Sequence, residues 1–131
     1  IPGTALMGTD LPKIPAQFQR HKKNYQRLKA SGLDWSILCP GPMIPAADGR
    51  ARKDLRLSAD IWPFAVPSIT RWLPRIGLLV LFGKNIGAMT ISYEDAAAVI
   101  MDNLEPNGRY SRKRVGIALP PGVRGKKKLD F

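Results

Sequence analysis

The stretch SGLDWSILCPGPM, residues 31–43, constrains the fold more than any other part of the chain. Gly32 suits the position just past a helix, where a left-handed backbone is needed and a Cβ is costly. Trp35 to Cys39 is short and uncharged, as expected of a strand covered on both faces of a parallel sheet. Pro40-Gly41-Pro42 then stops the strand abruptly. Ligands of open α/β sheets bind outside the carboxyl ends of the strands. Pro40 to Met43 is therefore expected to border a site.

The residues on either side fill in an α/β alternation. Ile1 to Pro15 carries three prolines and two glycines and reads as an irregular entry segment. Pro15 to Ser31 reads as a helix. Phe18, Tyr25 and Leu28 form its apolar stripe, and Arg20, Lys22, Lys23, Arg27 and Lys29 lie opposite. Pro40 to Ala59 reads as a long loop. Asp60 to Met89 is apolar and interrupted by proline, so Ile61 to Pro67 is excluded from a central strand. Ser68 to Phe82 is expected to be a helix broken at Pro74, serving as a lid, a partner surface or a membrane-surface segment.

Met89 to Ile91 reads as a short strand leading into a helix. Ser92 and Asp95 have the spacing of a capping box, and Ala96, Val99, Ile100, Asn103 and Leu104 form the buried stripe. Pro106-Asn107-Gly108 ends that helix. Val115 to Leu119 reads as the final strand, ended by Pro120-Pro121-Gly122. Val123 to Phe131 reads as a mobile basic tail. Helices thus alternate with strands, as in crossover connections of a parallel sheet.

Charge and composition narrow the partners. The 131 residues are 44% hydrophobic and 24% charged, which fits one folded domain. A net charge of +11 predicts attraction to something acidic, and the residues from Arg109 onward hold eight Lys/Arg against one Asp. No aromatic interleaving or recognition motif accompanies those charges, which disfavours nucleic acid. The longest apolar run, Ile76 to Phe82, has seven residues, against about 20 for a membrane-spanning helix. The single cysteine, Cys39, excludes an intrachain disulfide and fits a reducing, cytoplasmic setting. It reads as a small buried residue rather than a nucleophile, because no base stands near it in sequence. With one Cys and one His, a Cys/His zinc site is not expected. The chain begins at Ile1 without Met, which predicts a processed or cut chain.

Neither a Gly-rich dinucleotide turn nor a Walker-type phosphate loop is present. Gly83-Lys84-Asn85-Ile86-Gly87 lacks the paired glycines and the downstream acid. A sheet of two or three strands is also thin for this class, where about five or six are usual. The chain therefore reads as the second half of a domain.

His21, Tyr25, Ser31 to Trp35 and Pro40-Gly41, followed by Ile91 to Ala97, resemble the carboxyl half of atypical short-chain dehydrogenase/reductase proteins. The similar group is the NAD(P)H-binding one that includes NmrA-like proteins and biliverdin/flavin reductases. The likeness covers roughly residues 17–41 and 89–119. It implies the carboxyl-terminal portion of a doubly wound, Rossmann-like parallel sheet over residues 1–119, with an insertion at about 46–88 and a basic tail at 120–131. It also implies NADP or NAD as cofactor, a small organic substrate, and Pro40, Gly41, Pro42 and Met43 beside the nicotinamide ring. His21 resembles a histidine found at this point in the reductase-like group. Tyr25 and Lys29 have the Tyr-x-x-x-Lys spacing of classical members, so His21 and Tyr25 are the candidate catalytic residues. The same pair also reads as ordinary helix surface, because Tyr25 would lie about two and a half turns from the helix start. The phosphate-binding half would then come from the missing amino half or from a partner chain covering the sheet edge. The competing expectation is a non-enzymatic scaffold or assembly subunit built on a degenerate dehydrogenase fold.

Overall fold

A computed structural model of the chain describes residues 16–64, 83–103 and 105–126. The expected helix at 68–82 and the segments 1–15 and 127–131 lie outside the described residues.

Helix α1 spans Ala16–Ala30 and carries Arg27 and Lys29 in its last turn, where cations offset the negative end of the helix dipole. Only Lys22, Tyr25 and Leu28 are partly buried between residues 20 and 30. Their spacing of three makes a narrow contact stripe. Ser31 Oγ donates to the Leu28 carbonyl at 2.7 Å, and Gly32 takes the expected left-handed turn at φ 69°.

Strand β1 covers Ser36–Cys39, β2 Met43–Ile44, β3 Arg56–Ala59 and β4 Ile91–Ser92. Helix α2 is Tyr93–Met101, and β5 is Lys113–Ala118. Residues 83–89 are also helical. The structure is a small α/β protein whose main sheet has three strands in the order β1-β5-β3. Strands β1 and β5 are parallel, with Leu38 opposite Val115. Strands β3 and β5 are antiparallel, with Leu57 opposite Ile117. A second pair, β2 and β4, is parallel and sets Met43 opposite Ile91.

The sheet is therefore mixed, which corrects the expectation of a parallel one. The run read as a long loop at 40–59 contains β2 and β3. Leu55, Leu57 and Ala59 alternate with Arg56, Ser58 and Asp60, the period of a half-buried antiparallel strand. Strand β1 is not covered on both faces. It stands at the sheet edge, with Ser36 exposed and Ile37 to Cys39 half-buried. The covered strand is β5, whose last four residues are buried.

Side chains alternate along β5, so Val115 and Ile117 share one face and Gly116 and Ala118 the other. Ile117 forms one core cluster with Ile91, Ala96, Val99 and Leu119, with Leu38, Met43, Leu55, Leu57 and Val123 packed against it. On the opposite face the chain at 58–63 crosses close to Gly116. A Cβ there would stand 3.0 Å from Pro63 Cδ and Ser58 Oγ. The expected stripe of α2 holds for Ala96 and Val99, whereas Ile100 is half exposed. Val123 and Gly125, read as the start of a mobile tail, are docked: Gly125 N–H donates to the Gly87 carbonyl at 2.8 Å.

Candidate functional site

The six residues singled out from the sequence fall at two ends of the parallel pair. Pro40 to Met43 leave the carboxyl end of β1. His21 and Tyr25 lie on α1, and Tyr25 meets Trp35 at the amino end of β1. From Trp35 to Pro40 the chain runs about 16 Å at extended rise, so the two groups do not form one site.

At the carboxyl edge, Pro40 to Met43 are half-buried. Gly41 N–H donates to the Met89 carbonyl at 3.1 Å, and Ile91 N–H donates to the Pro42 carbonyl at 3.2 Å. A Cβ on Gly41 would lie 2.7 Å from both Cβ and O of Met89. The glycine is required by this close approach of backbones. Gly125 presses on the other side: a Cβ there would lie 2.5 Å from the Thr90 carbonyl oxygen. The strip 87–90 is thus clasped between two glycines, and Leu119 N–H adds a bond to the Ala88 carbonyl at 2.8 Å. Gly41→Ala is expected to cost about 1–3 kcal/mol through overpacking, read as a lower urea midpoint at an unchanged slope.

The start of α2 lies on the same edge. Ser92 accepts from Asp95 N–H at 2.9 Å, and Asp95 accepts from Ser92 N–H at 3.0 Å. This is the expected capping box. Loop 46–52 then crosses the helix start. Ala46 N–H donates to Glu94 at 2.9 Å, and Arg52 N–H donates to the second Asp95 oxygen at 2.7 Å. Asp95 is 1% exposed, and each of its carboxyl oxygens takes a backbone donor. The loop belongs to this edge. Cys39 is half-buried, and burial pushes its thiol up. Burial thus disfavours the thiolate, the form in which a cysteine attacks.

At the amino end, the Tyr25 and Trp35 rings meet edge to face at 5.8 Å and 84°. The Arg114 guanidinium lies 4.7 Å from the centre of the Tyr25 ring, within cation–π range. Arg114 Nε is 3.3 Å from Asp60, and Lys113 Nζ is 3.6 Å from its other oxygen. Burial pushes the Asp60 carboxyl up, but hydrogen bonds from the Arg114 backbone and side chain, with the charges of Arg114 and Lys113, outweigh it and hold the carboxyl low. A cavity of about 360 Å³ opens here between Tyr25, Lys29, Trp35, Asp60, Arg112 and Arg114. Lys29 of the Tyr-x-x-x-Lys pair thus shares a cavity with Tyr25, while His21, one turn earlier, is exposed.

Asp60, Arg112 and Arg114 were not selected from the sequence. Arg114 is the second residue of β5, whereas Arg112 lies in the turn before it, with a left-handed backbone. No period-two signal in the sequence joins the two arginines, because that turn separates them.

A second cavity of about 350 Å³ lies between β1 and the carboxyl end of α2, with Asp34 at its rim. Asp34 accepts from the Ser111 hydroxyl and from Asn107 N–H at 2.7 Å. The Ser111 bond first, then the Asn107 bond, holds its carboxyl below the ordinary 3.8. Its stabilising contribution is therefore complete above the unfolded-state value and is lost as pH falls through the lower folded-state value. Unfolding followed by urea is expected to show stability declining below about pH 4, and Asp34→Asn should flatten part of that decline.

Compared with protein-family models, curated proteins and solved structures, the chain matches none of them. No helix among the described residues is long and apolar enough to cross a membrane.

Proposed function

We propose that the chain forms the carboxyl-side portion of an NAD(P)H-binding, oxidoreductase-like protein of the short-chain dehydrogenase/reductase type. It would act on a small organic substrate. The supporting observation is the parallel β1–β5 pair, with Pro40 to Met43 at its carboxyl edge beside the start of α2. A sharp exit from a strand at such an edge is suited to forming one wall of a cofactor pocket.

The residues present do not make a phosphate cradle. The N–H groups of Gly41, Ser92 and Asp95 are bonded within the chain, and loop 46–52 covers the helix start. The pyrophosphate of NAD(P) would need donors from elsewhere, in keeping with an amino half or partner that brings a Gly-rich turn. No reaction step is assigned to His21 or Tyr25, since both stand away from Pro40 to Met43.

The same spent N–H groups favour a second reading, a non-enzymatic assembly subunit of the same architecture. Titration of NADPH and NADH onto the particle purified with this chain from its native source separates the two. Energy transfer from protein tryptophan to bound nicotinamide supports the oxidoreductase-like reading. Its absence with both cofactors at millimolar concentration leaves the assembly reading.

A further inference from the structure

The cavity at the amino end of β1 and β5 carries an inference independent of that reading. Its volume of about 360 Å³ falls within the range of small-molecule sites, roughly 300–1,000 Å³. Lys29, Arg112 and Arg114 line it against one carboxylate, Asp60. The lining therefore holds a surplus of two positive charges, and Lys113 adds a further contact to that carboxylate. Tyr25 and Trp35 supply a fixed aromatic wall.

Two of the cations, Arg112 and Arg114, are positioned. Arg114 is held by Asp60 and by the Tyr25 ring. Arg112 donates its N–H to the Trp35 carbonyl at 2.6 Å and a guanidinium N–H to the Gly32 carbonyl at 3.3 Å. Asp60 has φ 58° and Arg112 φ 54°; with Asn107 they are the non-glycine residues of left-handed backbone among those described. Such conformations cost free energy and concentrate at functional sites. Here two of the three line one cavity.

We propose that this cavity binds a phosphate monoester carried on a small, flat, apolar body. A phosphate monoester bears nearly two negative charges at neutral pH, which matches the surplus. Its phosphate takes charge-assisted hydrogen bonds from Lys29 and Arg112, and its body rests on the Tyr25–Trp35 wall.

The test titrates the whole chain with phenyl phosphate, using benzyl alcohol as the uncharged control, and follows the tryptophan indole N–H resonances. The Trp35 resonance is expected to move saturably with phenyl phosphate and not with benzyl alcohol, while that of Trp62 stays in place. Lys29→Glu, at an exposed helix position, should raise the apparent Kd about tenfold or more. Lys23→Glu makes the same charge change on the same helix, away from the cavity, and should shift it by less than about twofold. An unmoved Trp62 resonance reports that each variant is folded. No saturable movement of Trp35 overturns the proposal, as does equal weakening by the two variants, which would mean attraction to net charge alone. Nicotinamide binding at the opposite edge is decided separately, by the energy-transfer titration.

Discussion

Asp95→Ala is expected to lower the unfolding free energy by about 3 kcal/mol, since bonds to a charged group contribute about 1.5–3 kcal/mol each. One Asp95 oxygen accepts from Ser92 N–H and the other from Arg52 N–H. Removing the carboxylate leaves a buried helix start without its reciprocal cap and releases loop 46–52. Ser92→Ala breaks only the other half of the capping box and should cost about 1 kcal/mol. Asp95→Asn keeps one acceptor but points an amide at a backbone donor, so its cost should fall between the two. Urea unfolding monitored by tryptophan fluorescence gives the ranking. Hydrogen exchange at the Arg52 amide should accelerate more in Asp95→Ala than in Ser92→Ala. Equal costs for the two alanine variants would mean that the tie to Arg52 contributes nothing.

Ile117→Ala is the second large effect, at about 2–5 kcal/mol. Ile117 is fully buried on the central strand and shares one core cluster with residues of α2 and β4. The surrounding backbone is fixed by β1 on one side and β3 on the other, so little relaxation can fill the cavity. Ile100→Ala provides the contrast. Ile100 is 50% exposed and should cost under about 1 kcal/mol. If the two variants were equally destabilised, α2 would be packed with Ile100 inward rather than half exposed.

That contrast also marks how far the sequence was legible. Strong local chemistry came through. Gly32 at φ 69°, the Ser92–Asp95 box and the stop at Pro40 each depend on neighbours within a few residues. The orientation of the α2 stripe did not come through fully, because Ile100 has apolar character but lies at the edge of the contact surface. Strand β3 was missed because proline, glycine and charge in residues 40–54 masked the alternation at 55–60. Its pairing with β5 is made across more than fifty residues and leaves no local trace. The expectation of a parallel sheet followed from that omission.

The candidate site was legible only in part. Pro40 to Met43 do border the carboxyl edge, but their bonding to residues 89–91 depends on a contact between distant segments. Tyr25 and Lys29 do share a cavity, yet the Asp60, Arg112 and Arg114 groups that give it its charge are distant in sequence. Those relations are tertiary, and no spacing within a single segment encodes them.

The place of β5 at the centre of the main sheet has a consequence for biosynthesis. Both β1 and β3 find their sheet partner in residues 113–118, and synthesis runs from the amino terminus. Until residues 113–118 are made, these strands wait with no template to pair on, and their half-buried faces stand open to other chains. The clasp on residues 87–90 waits longer still, until Gly125 has emerged. Such late closure of long-range contacts slows folding. The nascent chain is thus most exposed to mispairing just before its central strand is made, and a chaperone that shields strand edges would have its greatest effect in that interval.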